Sequence, residues 1–220
     1  MILVPIKNTA FAKQRLAAIL VQASRTKLAL AMLYDVLTTI HNWKNRPSVG
    51  IVTGDPYAAA LAERYKFEII PDALDPGETG AIEMATRVCL ERDEDSTLVI
   101  PADIPLIEPW ELEEILKRAP AEGSVLVPAG DGRGTNAAFR RPANLFPLRF
   151  GNDSFKPHHA AAMATGRPCV VFNLPGIAVD VDNPADLEHL VSLPGETRAQ
   201  ALARDWNLPG RPPATGSEAS

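Results

Sequence analysis

Cysteine is scarce in this chain of 220 residues, which carries only Cys89 and Cys169. Both lie in apolar segments, so a disulfide framework and a cysteine-ligated metal site are set aside in favour of buried thiols in a reducing compartment. Positive charge is short as well. With 22 Lys and Arg against 27 Asp and Glu the formal charge is -5, which argues against a nucleic-acid partner, because phosphate contacts need a basic face. No apolar run reaches the roughly 18–20 residues required to cross a bilayer, and the N-terminus opens into a strand rather than a signal peptide. The expectation is a soluble, cytoplasmic protein with no membrane partner. A P-loop is missing, and so is G-x-G-x-x-G after a strand, which leaves a Walker-type ATPase and a dinucleotide-dependent dehydrogenase without support.

Apolar residues are plentiful, at 46% of the chain, and suffice for a core. One domain is expected over residues 1–207. From Leu208 onward Pro, Gly, Ser and Ala dominate, so residues 208–220 read as a disordered tail. Short β-branched runs at Met1–Ile6, Val49–Thr53, Phe67–Ile70, Thr97–Ile100 and Val125–Val127 read as strands, with an extended Ala137–Arg140 and two more strands at Val170–Asn173 and Ile177–Val181. Between them, helical patterns fall at Ala12–Leu20, Arg25–Ile40 with Ser24 as cap, Tyr57–Tyr65, Ala81–Glu91, Pro109–Arg118 and Asp153–Thr165. Asn183 caps a further helix from Pro184 to Val191, and a last one spans Arg198–Arg204. This alternation predicts an α/β fold, a three-layer αβα arrangement around a Rossmann-like, mostly parallel sheet.

Asp103 stands just past the end of a buried strand, held in an extended bend between Pro101 and Pro105. In an open α/β sheet the crevice beyond such strand ends receives ligands. A carboxylate there suits a hard cation, Mg2+ or Mn2+, although it also suits a simple turn cap. Asp180 and Asp182, two apart in an extended chain, share a face. With Asp103 they would form a three-carboxylate metal site; capping of the Pro184 helix is the competing account. Lys7, Lys13 and Arg15 follow the first strand, where cations would neutralise a triphosphate, while K-x-R also fits a solvated helix face. Gly134-Thr135-Asn136 and Gly151-x-x-Ser154 read as a split anion site of backbone N–H groups and a hydroxyl, with helix capping as the alternative for Ser154. His158 and His159 sit one turn further on, where one could bond a carboxylate or phosphate, or both could lie exposed.

The segments Val4-Pro-Ile-Lys7, Ala12-Lys13-x-Arg15-Leu16, Pro101-Ala-Asp103-Ile-Pro-Leu106, Gly134-Thr135-Asn136-Ala137, Phe150-Gly151-x-x-Ser154-Phe155 and Asp180-Val-Asp182-x-Pro184-x-Asp186-Leu187 resemble, in this order, the CofC/FbiD family of guanylyltransferases. That family belongs to the MobA-like nucleotidyltransferase superfamily, and the match runs from Met1 to about Leu190. The resemblance implies the nucleotide-diphospho-sugar transferase type of fold. It also implies transfer of GMP from GTP to a small phosphorylated acid, 2-phospho-L-lactate, phosphoenolpyruvate or 3-phosphoglycerate, with release of pyrophosphate, in coenzyme F-420 biosynthesis. On this footing Pro5, Lys7, Lys13, Gly77, Gly80, Pro101 and Asp103 would bind nucleotide, with Lys13, Arg15 and Asp103 catalytic. Thr135, Asn136, Gly151, Ser154 and His158 would hold the acceptor, and Asp103, Asp180 and Asp182 the metal. The Gly-rich loop that follows the first strand in molybdopterin nucleotidyltransferases is absent. Where the family commonly has Gly-Leu-Asn, this chain has Gly77-Glu78-Thr79-Gly80, which bears on base selectivity. Other readings are a nucleotidyltransferase acting on a sugar or pterin phosphate and a non-catalytic GTP-binding module. A homodimer is left open.

Overall fold

The structure, a computed structural model, describes residues 1–72, 77–151 and 153–206. The tail expected at 208–220 and the middle of the breaker loop before Gly77 lie outside the described residues. Strands β1 (Ile2–Ile6), β2 (Val49–Thr53), β3 (Glu68–Pro71), β4 (Thr97–Val99), β5 (Gly123–Pro128), β6 (Thr135–Arg141) and β7 (Cys169–Val171) form a single sheet in the order β3-β2-β1-β4-β6-β5-β7. Only β6 runs against its neighbours, pairing antiparallel to both β4 and β5. The other pairings are parallel. The chain lays β2 and β3 to one side of β1 and returns to place β4 on the other, so the switch point of the winding falls between β1 and β4.

Alternation along the strands sends apolar side chains to both faces. Ile2, Val4, Ile6, Ile51, Leu98 and Val125 meet helices α1 (Gln22–Asn42), α2 (Pro56–Tyr65) and α4 (Pro109–Arg118), whose Leu33, Val36, Ala58, Ala62, Leu112 and Ile115 complete that layer. Leu3, Val52, Val99 and Leu126 meet α3 (Gly77–Glu91) and α5 (Phe155–Ala164) through Ala81, Ile82, Ala85 and Ala162. Each buried aliphatic side chain contributes roughly 1.5–3 kcal/mol. A third cluster joins Leu16, Leu28, Met32 and Val181 to Leu187 and Leu190 of α6 (Pro184–Ser192) and Ala199 and Ala203 of α7 (Arg198–Arg204). Leu16 follows the cationic loop and Val181 separates Asp180 from Asp182. Their shared burial presses two distant pieces of chain together.

Local chemistry sets the helix ends. Asp55 accepts from Tyr57 N and Ala58 N at the start of α2, and its other oxygen takes Thr9 N and Thr9 Oγ1 at 2.7 and 2.8 Å. One buried carboxylate thus fixes both a helix start and the loop after β1. Asn183 caps α6 with Asp186 returning the bond, as a capping box.

Four expectations are corrected. The stretch 12–20 contains no α-helix; Thr9–Phe11 and Gln14–Leu16 are 3-10 turns, because Lys13 between them adopts a left-handed backbone at φ 55°. Helix α1 starts at Gln22 rather than after Ser24, since the Val21 carbonyl already accepts from Ser24 N and Arg25 N. Ile177–Val181 adds no strand. Gly176 N and Ile177 N donate to the buried Glu111 carboxylate at 2.7 and 3.3 Å, and Ala178 N turns back to Leu174 O. Those donors are no longer available to a sheet. Both cysteines are free, Cys89 buried as expected and Cys169 only half-buried.

Glu111 is wholly buried, and its second oxygen accepts from Glu108 N at 2.9 Å in the capping box of α4. A Glu111→Gln substitution replaces one acceptor by a donor and strands a buried N–H group. The expected loss of stability is about 1–3 kcal/mol, measured by urea unfolding.

Candidate active site

Strands β1 and β4 pair only at Ile2 with Leu98 and Leu3 with Val99, ending with Ile100 N on Leu3 O, whereas β1 stays paired to β2 as far as Ile6 with Thr53. Pro5, whose nitrogen is on the β4 side of β1, supplies no N–H, so the ladder does not continue. Beyond that parting lies a cavity of about 250 Å³, lined among others by Pro5, Lys7, Lys13, Glu78, Pro101 and Asp103.

Lys13 crosses the gap. Its Nζ donates to Asp103 Oδ2 at 2.6 Å and to Asp182 Oδ1 at 2.9 Å, and the side chain is 10% exposed. Burial alone would lower its pKa; the charges of Asp103 and Asp182 outweigh that and raise it well above the ordinary lysine value. Lys13 is therefore charged at every physiological pH. Arg15 adds a longer contact to Asp182 at 3.6 Å, between half-exposed groups. Burial pushes the Asp182 carboxyl up and Lys13 with Arg15 pulls it down, for a net lowering. Lys7, further along the rim, donates to Asp72 Oδ2 at 2.6 Å.

Asp180 lies deeper. Burial, with Asp103 and Asp182 nearby, pushes it up to about 6 even though Asn136 Nδ2 donates to its Oδ1 at 2.9 Å. Glu78, in the first turn of α3, is pushed up to about 7 by burial first and then by Asp103. The site thus holds more carboxylate than its own cations neutralise. Among the described residues no three His, Cys, Asp or Glu side chains form a ready-made metal cluster. Lys13 stands between Asp103 and Asp182, and Asp180 is turned to Asn136.

Thr135, Ser154 and His158 form one buried group. Ser154 Oγ accepts from Thr135 N at 3.1 Å, and His158 Nε2 accepts from Arg149 N at 2.8 Å. The other ring nitrogen, Nδ1, then carries the proton and donates to Thr135 Oγ1 at 2.9 Å. The Thr135 hydroxyl keeps its own proton for another acceptor. Gly151 has φ 136°, a conformation that side chains rarely adopt, with open space where a Cβ would stand. Gly77 and Gly80 lie in the first turn of α3.

The candidate residues therefore divide by role. Lys13, Arg15, Asp103 and Asp182 meet directly, and Asp180, held by Asn136, stands near enough for Asp103 and Asp182 to raise its pKa. Asn136 and His158 are 5% and 1% exposed, with the Asn136 amide nitrogen and both His158 ring nitrogens bonded inside the protein, so they orient Asp180 and Thr135. Sequence reasoning missed Glu78, Thr79, Glu111 and Asp186. Thr79 Oγ1 accepts from Phe150 N at 3.0 Å, and Asp186 Oδ2 accepts from Asp182 N at 2.9 Å. Asp186 in the motif next to Asn183 carried a legible signal as a capping-box partner, as did Glu111 behind Pro109; the Thr79 bond to Phe150 and the Glu111 bond to Gly176 span 71 and 65 residues.

A doubly wound sheet with opposed aspartates and a locked lysine at its switch point defines a nucleotidyltransferase-type α/β protein. A solved structure from Desulfovibrio desulfuricans G20, described as a nucleotide-diphospho-sugar transferase, shares this fold with a TM-score of 0.74 at 19% identity, over 93% of each chain. The chain belongs to the family of CofC-like guanylyl transferases, which it matches over residues 1–215. It is 34% identical over 189 residues to a phosphoenolpyruvate guanylyltransferase of Sphaerobacter thermophilus, covering 85% of this chain and 90% of that one. It is 33% identical over 193 residues to a 3-phospho-D-glycerate guanylyltransferase of Colwellia psychrerythraea, covering 87% and 91%.

His158 has its pKa lowered from 6.5 to about 4, by burial first and then by the charge of Arg140. The unfolded chain takes up a proton that the folded ring refuses, so this contribution is complete above about pH 6.5 and declines as pH falls towards 4. In urea unfolding at about pH 7.5 and pH 5, His158→Gln is expected to lose less stability on acidification than the wild type.

Proposed function

We propose that the chain transfers GMP from GTP to the phosphate of a three-carbon phospho-acid, 2-phospho-L-lactate, phosphoenolpyruvate or 3-phosphoglycerate, in the assembly of coenzyme F-420. The observation that carries this reading is the buried Lys13 ammonium held between Asp103 and Asp182 where β1 and β4 part. An acceptor phosphate oxygen attacks the α-phosphorus in line, forming a new P–O bond as the bond to pyrophosphate breaks and the electron pair leaves with it. The nucleophile is ionised at neutral pH. Catalysis then consists of positioning and charge neutralisation, without a general base or a covalent intermediate.

Lys13 and Arg15 face the triphosphate and the leaving pyrophosphate, and Lys7 extends that cationic rim. Pro5, Pro101 and the start of α3 at Gly77 and Gly80 border the nucleotide. Thr135, through its free hydroxyl proton, and the backbone around Gly151 and Ser154 hold the acceptor's phosphate. Asp103, Asp180 and Asp182 are hard oxygen donors that outnumber the Lys13 and Arg15 cations beside them, which fits Mg2+ or Mn2+. A divalent ion bound there supplies neutralisation of phosphate oxygens. No helix among the described residues is long and apolar enough to cross a membrane, and a cytoplasmic GTP pool suits the reaction.

Pyrophosphate release is the test, with GTP and each of the three acids in turn, beside a sugar phosphate and a pterin phosphate. Release with one of the three-carbon acids is expected; release with none of these acceptors removes the proposal. Asp103→Asn is expected to lower turnover at least ~10²-fold, as when one electrostatic stabiliser is lost. Its melting temperature should stay close to wild type, because Lys13 keeps Asp182.

A further inference from the structure

The cavity at the parting of β1 and β4 has two distinct walls. One is apolar, from Ala12, Ala29, Met32 and Leu33, and at its mouth stands the ring of Phe11, 68% exposed. The other is polar, and nearly every polar side chain on it is already engaged. Lys7 donates to Asp72, Asn8 accepts from Ala10 N, Thr9 is bound to Asp55, and Lys13 joins Asp103. Glu78 is the exception. Among the described residues no donor hydrogen-bonds its carboxylate, and burial and the charge of Asp103 press on it more than the nearby charges of Lys13 and Lys7 relieve.

A carboxylate in that place repels a triphosphate and a phospho-acid alike, so the group that suits it is a neutral pair of N–H donors. Of the common nucleobases only guanine presents two adjacent donors, N1–H and the 2-amino group, spaced for the two oxygens of one carboxylate. Adenine, cytosine and uracil each set a donor beside an acceptor on that edge. We propose that Glu78 is the base-selecting residue of this chain, accepting both guanine N–H groups, while the face of Phe11 stacks on the base. This rests on guanylyl transfer as the reaction. It also gives a purpose to Glu78 where the family pattern has Leu.

The test separates the two ideas by measuring binding without chemistry. Calorimetric titration of the intact protein compares GTP with ITP, which lacks the 2-amino group, and with N1-methyl-GTP, in Mg2+ and without acceptor. The wild type is expected to bind GTP at least about 10-fold more tightly than either analogue, from the loss of one bond to a charged acceptor. Glu78→Gln should bring the GTP to ITP ratio towards one. Phe11→Ala should weaken GTP and ITP equally, by about 10-fold, because stacking does not distinguish base edges.

An unchanged ratio in Glu78→Gln overturns the proposal, whether the variant merely melts earlier, as a lost helix-start acid would, or needs more Mg2+. Equal wild-type affinity for GTP and ITP overturns it without any variant. If GTP is preferred yet no acceptor yields pyrophosphate, the transfer reading fails while base selection by Glu78 stands.

Discussion

The structure depends on a gap that the sheet is not allowed to close. Pro5 lacks the N–H that would carry the ladder from β1 on to β4, so the two strands part at the switch point and the chain must fill the opening with something other than backbone. It uses the ammonium of Lys13. To reach it, that residue adopts a left-handed backbone, which costs a non-glycine residue of order 1–3 kcal/mol. Burial of Leu16 three residues on, in the same apolar cluster as Val181, offsets that cost and brings the lysine loop to the aspartates.

Stability is a poor explanation for the lysine itself. Two unit charges about 4 Å apart gain roughly 4 kcal/mol at the effective dielectric of a protein surface, and removing each ion from water costs several kcal/mol. The two terms are of the same order, and the surplus attraction that raises the Lys13 pKa is discounted by solvent at Asp182, which is 42% exposed. What the pairs do provide is a fixed direction. An ammonium tethered at two points cannot swing away, and its charge is insured by the same aspartates that hold it. Around it the balance stays negative, as the raised Asp180 and Glu78 record. A site with surplus buried carboxylate and one anchored cation is arranged to accept further positive charge and further donors.

Much of this was legible in residue order. Val49–Thr53, Pro109–Arg118 and Arg198–Arg204 have the bounds their local signals predict, because a β-branched run between breakers, a proline at the first helical position and a capped amphipathic turn are all local facts. The failures share a cause. Ile177–Val181 has the composition of a strand, but a glutamate 65 residues earlier takes its first donors. The stretch 12–20 has helical composition, but Lys13 must point into the cleft. Within the site, strand order in a doubly wound sheet makes legible that Asp103 and the loop after β1 share one end of the sheet. The pairing of Lys13 with Asp103 and with Asp182, the latter on a segment that is not a strand, is not legible in spacing. Nor are the long-range bonds of Asn136, His158 and Glu111, because a hydrogen bond across 20 to 65 residues leaves no trace in spacing.

The two halves of the site use different physics for a reason that the reaction imposes. On the proposed reading two anions are brought together, which requires charge to be neutralised on one side, and there Lys13 and Arg15 stand among carboxylates. On the other side stand neutral donors, Thr135 and the backbone near Gly151 and Ser154. These are oriented by a histidine that cannot become charged without forcing its Nε2 against the Arg149 N–H that points at it. Protonation of His158 would also require a second cation next to Arg140 in a buried space. The tautomer, and with it the direction of the Thr135 hydroxyl, is therefore constant across the physiological range. A histidine in an anion site usually invites a reading as a pH switch. Here its neighbours make it the opposite, a rigid support that holds the Thr135 hydroxyl in one direction.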